Sequence, residues 1–97
     1  MTIQQIEYFE EVFRIRGMRK AAEKLYVSQP AISTVIKNLE KELGVTLFLR
    51  SSPLIPTEAG MRFHELASDL LARRDSMADE MMAFKNKARP FDAGFSV

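Results

Sequence analysis

AAEKLYVSQPAIS, residues 21–33, is the stretch that decides the fold of this 97-residue chain. Together with its flanks it predicts two short helices joined by a tight turn at Tyr26 and Val27. Ser28 is placed to cap the second of these helices with its hydroxyl group. Pro30 suits the first helical turn, because its missing N–H would be unpaired there in any case. Two short helices joined in this way are the pattern of a helix-turn-helix.

The residues before this stretch predict one further helix. Thr2 and Gln5 have the spacing of a capping box, in which each side chain bonds the other residue's backbone N–H. Arg16 and Gly17 are expected to close this helix, with Gly17 in a positive-φ conformation. Between these ends the apolar residues recur at helical spacing over about three turns, namely Ile3, Ile6, Phe9, Val12 and Phe13.

The residues after the stretch predict a β-hairpin. The helix that begins at Ser28 should end at Gly44, and residues 45–50 and 54–55 then have the composition of two short strands around a turn at 51–53. Such a hairpin is marginal alone and needs the helices to pack on. The predicted fold is therefore mainly α, a winged helix-turn-helix of three helices and a two-stranded β-hairpin wing, followed by a long helix.

The long helix is expected to begin after Thr57 and to run to about Lys87. At roughly 1.5 Å per residue it would extend about 45 Å, more than a small domain can cover. Its apolar residues follow a heptad-like order that Arg74 interrupts. Packing on the chain's own domain and pairing with a second copy both remain open, and the length favours pairing. The predicted dimer interface comprises Phe63, Leu66, Ala67, Leu70, Leu71, Met77, Met81 and Phe84.

The chain is predicted to divide into three parts: a winged helix-turn-helix domain at 1–57, a linker and dimerisation helix at 58–88, and a hinge at 89–97. Hydrophobic residues make up 46% of the sequence, enough for one small core. The apolar runs fall short of the roughly 20 residues of a membrane span, and the N-terminus lacks a signal-peptide pattern. We expect a soluble cytoplasmic protein.

The charge is unevenly distributed. The net charge is only +1, but between Arg14 and Lys37 six basic residues stand against the single acid Glu23. A basic segment of this kind is consistent with binding to an anion, and a merely solvated helix face is an equally good reading of the charge alone. The chain has no cysteine and one histidine, His64, and it offers no paired base and nucleophile, so an enzyme is not expected.

The outward side of the helix that begins at Ser28 is predicted to be polar and free of large apolar residues. Such a face can enter the major groove of DNA, where base edges present donors and acceptors. The residue types suited to contact bases are Gln29, Pro30, Ser33 and Thr34. The basic residues Lys37, Lys41, Arg19 and Lys20 are better suited to phosphate groups, which set the register without reading sequence.

Several linked segments closely resemble the signature of the LysR-type transcriptional regulators. They occur in the family's order over about residues 2 to 88, and they are 21–33, 36–40, 43–48, Arg50 and 57–60. The resemblance implies that the winged domain binds double-stranded DNA and that the long helix pairs two subunits, so that a homodimer binds an inverted repeat. It also implies a prokaryotic protein associated with the nucleoid. It also places Arg50 and the hairpin along the DNA backbone. With it, the predicted phosphate contacts become Arg19, Lys20, Ser28, Lys37, Lys41, Arg50, Ser51 and Ser52.

The chain departs from the family pattern at three points. Arginine is frequent in the family where Thr34 stands, so we expect a weaker or different base contact there. The wing is one residue short, and its tip at 51–56 carries no charge. Family members usually continue into a domain that senses a small molecule; an effector is expected only in that domain, and no cofactor is expected in this chain. A dimer and a tetramer both remain open for the longer protein.

Two hypotheses of different classes follow. The first is a sequence-specific DNA-binding transcriptional regulator. The second is a protein-interaction module that retains the winged fold without specific DNA binding, which the modest net charge and the uncharged wing tip favour slightly. Binding to genomic DNA fragments at low salt would discriminate between them.

Overall fold

The computed structural model describes residues 1–88, and the predicted hinge at 89–97 lies outside the described residues. The helices and strands occur in the predicted order and form a winged helix-turn-helix followed by a long helix. Their bounds are α1 Ile3–Ile15, α2 Met18–Leu25, α3 Gln29–Leu43, β1 Phe48–Leu49, β2 Ile55–Pro56 and α4 Glu58–Ala88. Among these helices none combines the length and the apolar character needed to cross a bilayer.

The helix ends follow from local side-chain chemistry. The Thr2 backbone N–H donates to the Gln5 side chain at 2.9 Å, and the Gln5 N–H donates to the Thr2 hydroxyl at 3.1 Å. The Ser28 hydroxyl accepts from the Ala31 N–H at 3.2 Å, which caps α3 as predicted. Gly44 ends α3 with a φ of 73°, a conformation that glycine adopts at little cost.

Helix α1 ends at Arg16 and Gly17 as predicted, but the residue that takes the positive φ was predicted wrongly by one position. Arg16, not Gly17, takes the left-handed conformation, with a φ of 63°, and Gly17 is extended at the N-cap of α2. The Arg16 side chain explains this placement. Its guanidinium lies 4.5 Å from the centre of the Phe13 ring, and its Nε donates to the Phe13 carbonyl. These contacts offset the modest cost of a positive φ in a residue with a side chain.

The core is built where α1, α3 and the wing meet. The Phe9 ring lies 5.3 Å from the Phe48 ring and 4.7 Å, edge to face, from the Phe63 ring of α4. Full burial of one such side chain contributes about 1.5–3 kcal/mol, so this aromatic cluster joins three elements firmly. The largest fully buried side chains are Phe9, Val12, Ile32, Ile36, Leu39, Leu47 and Phe48.

Strand β1 is shorter than predicted and β2 is shifted by one residue, and the two strands pair over two residues each in antiparallel register. Strand β1 does not extend over 45–50, because the backbone N–H groups of Leu47 and Phe48 donate to the carboxylate of Glu40 on α3 instead of to a facing strand. The hairpin is tied to the helices at a second point, where the Leu54 N–H donates to the Arg16 carbonyl at 2.9 Å.

Helix α4 packs on its own domain over its first part and then leaves it. Phe63 packs against the core cluster and Ala67 is 3% exposed, so both face the chain's own domain. The reason is that α4 lies along α1, so the side of α4 that carries Phe63 and Ala67 faces the core. Leu71 is half-buried, and every side chain from Ala72 to Lys87 is exposed. The described chain is accordingly elongated, 57 × 26 × 20 Å.

Candidate nucleic-acid interface

The outer face of α3 is exposed and polar. Gln29, Pro30, Thr34, Lys37 and Lys41 are all exposed, while Ser33 is half-buried. The opposite side of the helix carries the buried side chains of the core. The structure therefore presents the predicted base-reading residues on one side of a single helix, with a width suited to the major groove.

Four of these residues lie along one line of the helix surface. Pro30, Thr34, Lys37 and Lys41 are spaced by four, three and four positions, which places them on the same side of α3. Lys41 is twelve positions beyond Gln29, a separation of about 18 Å at 1.5 Å per residue. The two ends of this face therefore differ in chemical character: the N-terminal end carries an amide and small side chains, and lysines lie further along.

The N-terminus of α3 is favourable for an anion. Its first turn contains no acidic residue, and the backbone N–H groups there leave a partial positive charge. The Ser28 hydroxyl accepts from the Ala31 N–H, so its own proton remains able to donate to a further acceptor. Ser28 is exposed, in keeping with the predicted phosphate contact.

A surface groove brings four of the predicted phosphate contacts together with Gln29. Its walls come from the start of α2, the first residue of α3 and the turn of the wing, and they include Arg19, Lys20, Gln29, Ser51 and Ser52. The Arg19 guanidinium is 3.2 Å from the Glu23 carboxylate, with both side chains well exposed. Such exposed pairs contribute about 0.2–1 kcal/mol, so a phosphate group can replace Glu23 at small cost.

Arg50 has a role in the structure that was not predicted from the sequence. One Nη of Arg50 donates to the Glu40 carboxylate at 2.8 Å, and the other donates to the Phe48 carbonyl at 3.0 Å. The guanidinium therefore braces the wing against α3, which limits its availability for DNA phosphates.

Glu40 organises the wing and was missed in the sequence. Its Oε2 accepts from the Leu47 N–H at 2.7 Å and from the Phe48 N–H at 3.3 Å. Its side chain is 16% exposed. A sequence signal did exist, because Glu40 directly follows the buried Leu39 on the inner side of an amphipathic helix, where an acidic residue needs partners.

A second exposed surface lies along α4. Leu66, Leu70, Met77, Met81 and Phe84 are between 42% and 63% exposed and follow one another at intervals of three, four or seven positions. Ile3 of α1 adjoins Leu70 and Met77 at the edge of this stripe. Contiguous exposed apolar residues of this kind are typical of an interface.

The chain matches the family model described as bacterial regulatory helix-turn-helix protein, lysR family, over residues 3–61. It is 45% identical over 82 residues to an uncharacterized HTH-type transcriptional regulator, YcgK of Bacillus subtilis, covering 84% of this chain and 25% of that protein. It is 34% identical over 96 residues to the HTH-type transcriptional regulator BenM of Acinetobacter baylyi, covering 98% of this chain and 32% of BenM. The chain thus spans about a quarter to a third of the length of these relatives.

Solved structures share the fold over nearly the whole chain. The crystal structure of the BenM DBD with catB site 1 DNA matches with a TM-score of 0.87 at 34% identity, covering 93% of this chain and 98% of that one. The CbnR DBD–DNA complex matches with a TM-score of 0.83 at 36% identity, covering 88% and 99%. The family match, the identities and the fold agree, and the chain belongs to the lysR family of bacterial regulatory helix-turn-helix proteins.

Proposed function

We propose that this chain is the sequence-specific DNA-binding portion of a bacterial transcriptional regulator. The observation that carries the proposal is the exposed polar face of α3, which stands clear of the core beside a basic groove and the wing. The BenM and CbnR domains that share the fold were crystallised with DNA. The proposed activity is binding, not catalysis, and its proposed location is the cytoplasm, where bacterial DNA lies.

The roles of the side chains follow from their chemistry and position. At the N-terminal end of α3, Gln29 can bond adenine bidentately. Pro30 offers apolar contact to a thymine methyl group, and Ser33 and Thr34 have hydroxyls within the same two turns of the helix. The phosphate contacts that we propose are Arg19, Lys20, Ser28, Lys37, Lys41, Ser51 and Ser52, with Arg50 acting mainly as a brace of the wing.

The exposed stripe of α4 supports a homodimer. A second α4 would cover Leu66, Leu70, Met77, Met81 and Phe84, and two-fold symmetry of the protein implies an inverted repeat in the DNA. The proposed winged domain covers residues 1–57 and the proposed linker and dimerisation helix covers 58–88; within that helix Phe63 packs against the core of the winged domain and Ala67 is buried. The proposed dimerisation segment is therefore the outer side of α4 from Leu66 onward.

Selection of genomic DNA fragments by the purified chain, followed by titration, tests the proposal. The bound fragments should share an inverted repeat, and affinity for them should exceed affinity for random DNA by about 10³-fold or more. Both affinities should fall steeply with salt, because phosphate contacts release counterions. If no fragment is retained at low salt and micromolar protein, the proposal fails and a protein-interaction module takes its place.

A further inference from the structure

A row of polar contacts connects α4 to α1 along the outside of their packing. The Arg74 guanidinium lies 2.6 Å from the Glu7 carboxylate. One turn further along α1, Glu10 accepts from the Ser68 hydroxyl at 2.9 Å and lies 2.9 Å from Nδ1 of His64. We name these five residues, Glu7, Glu10, His64, Ser68 and Arg74, the α1–α4 clamp.

The clamp lies where α4 changes from packed to projecting. His64 stacks on the buried Phe13 ring, with 3.9 Å between ring centroids and 8° between planes. Ala67 and Leu71 complete the packed side of α4. Arg74 lies beyond them and joins α4 to α1 across 67 positions of sequence. Past it, all side chains from Asp75 to Lys87 are exposed.

The clamp also explains the residue that interrupts the heptad pattern. A cation in an apolar column of a helix pair is unfavourable unless it is paired. In this chain Arg74 turns towards α1, and the Glu7 carboxylate together with Asp75 raises the pKa of Arg74 above its usual value. The charge is thereby held against the subunit's own body.

We propose that the α1–α4 clamp fixes the angle between α4 and the winged body, which comprises α1, α2, α3 and the wing. The clamp thereby selects the spacing of the two DNA half-sites that a dimer binds. This inference rests on the proposed function.

The lengths involved show why the angle matters. With α4 held in a dimer, the body moves about the clamp, and the described chain measures 26 × 20 Å across its two shorter axes. A rotation of about 10° at the clamp displaces a point 20 Å away by about 3.5 Å, close to the 3.4 Å rise of one base pair. A small increase in the range of angles between the body and α4 is therefore enough to change which half-site spacing the dimer binds best. The ion pairs of the clamp are partly exposed and contribute little to stability, so their removal should change geometry more than folding.

The test uses the 97-residue chain with Glu7→Gln, Glu10→Gln and both together. Glu11→Gln is the matched control, because Glu11 pairs with Arg14 within α1 and not with α4. Affinity is measured for a single half-site and for inverted repeats whose spacer is lengthened or shortened by one or two base pairs.

The clamp variants should bind the half-site within about twofold of the parent. Their discrimination between best and worst spacers should fall by about fivefold, and the control should keep it. Unchanged spacer discrimination in the double variant would overturn the inference.

A measurement without DNA separates this inference from the proposed function. The chain has no cysteine, so Lys24→Cys on α2 and Asp79→Cys on α4 provide two spin-label sites on one subunit. Labelled chain diluted with unlabelled chain reports the distance between body and α4. The distribution should broaden in the double clamp variant and stay narrow in the control. If DNA binding fails while this result holds, only the proposed function is lost. An unchanged distribution would refute the clamp itself.

Discussion

The α-carbon of Gly60 lies directly against the carbonyl oxygen of Leu47, where an added Cβ would be 2.1 Å from that oxygen. The contact is backbone against backbone, so no side-chain rotation can relieve it. Thr57 strengthens the same junction, since its hydroxyl donates to the Thr46 carbonyl at 2.6 Å and accepts from the Gly60 N–H at 3.0 Å. The first turn of α4 is thereby held against the base of the wing.

Gly60→Ala should lower the free energy of unfolding by about 1–3 kcal/mol, because the added methyl group forces α4 away from the wing. Urea denaturation followed by circular dichroism measures the loss. Glu65→Ala, at an exposed position of the same helix, is the control and should change stability by less than about 0.5 kcal/mol. Equal stability of Gly60→Ala and the parent would show that the first turn of α4 can move away from the wing without loss of stability.

Glu40→Ala should destabilise the wing. The substitution leaves the N–H groups of Leu47 and Phe48 without their acceptor, at a cost of about 1–3 kcal/mol. Hydrogen exchange of these two amides, measured by NMR, should quicken more than that of α1. Glu42→Ala, on the exposed side of α3, should leave both amides protected. Protection that survives the loss of Glu40 would mean that the strands alone hold the wing.

Gln29→Ala should reduce affinity for the selected operator by about 1–3 kcal/mol and relax sequence preference at one position, because a base contact is lost. Lys37→Ala should weaken operator and random DNA alike and lower the salt slope by about 1. Fluorescence anisotropy on both DNAs at several salt concentrations separates these effects. Equal losses on operator and random DNA for Gln29→Ala would argue against base reading.

Met81→Lys should convert a dimer to a monomer, since it places a charge within the exposed apolar stripe of α4. Sedimentation velocity at micromolar protein measures the change. Asp79→Lys introduces the same side chain about 200° away around the helix, and it should leave the dimer intact. Loss of the dimer in both variants, or in neither, would contradict pairing through this stripe.

Local signals were sufficient to predict the helix-turn-helix. Caps such as Ser28 act within three residues, and the apolar period of each helix is visible over a few turns, so both can be read without knowledge of the fold. The exposed face of α3 follows directly from that period. The same reasoning placed Gly17 one residue wrongly, because the conformation of Arg16 depends on how its side chain meets Phe13.

Features that depend on two distant segments were not predictable in this way. The length of the first wing strand is set by Glu40, whose bonds to Leu47 and Phe48 span seven and eight positions. Whether Ala67 faces its own domain or a partner depends on the angle between α1 and α4, which periodicity does not contain. The ion pair of Glu7 with Arg74 joins residues 67 positions apart, and no local pattern signals it.

The projecting end of α4 makes the length of this helix depend on the protein concentration. A segment of about thirteen residues without tertiary support is barely helical in water, so a solitary subunit should fray where a paired one stays wound. Dilution of the protein should therefore shorten the helical part of α4, and pairing at higher protein concentration should restore it.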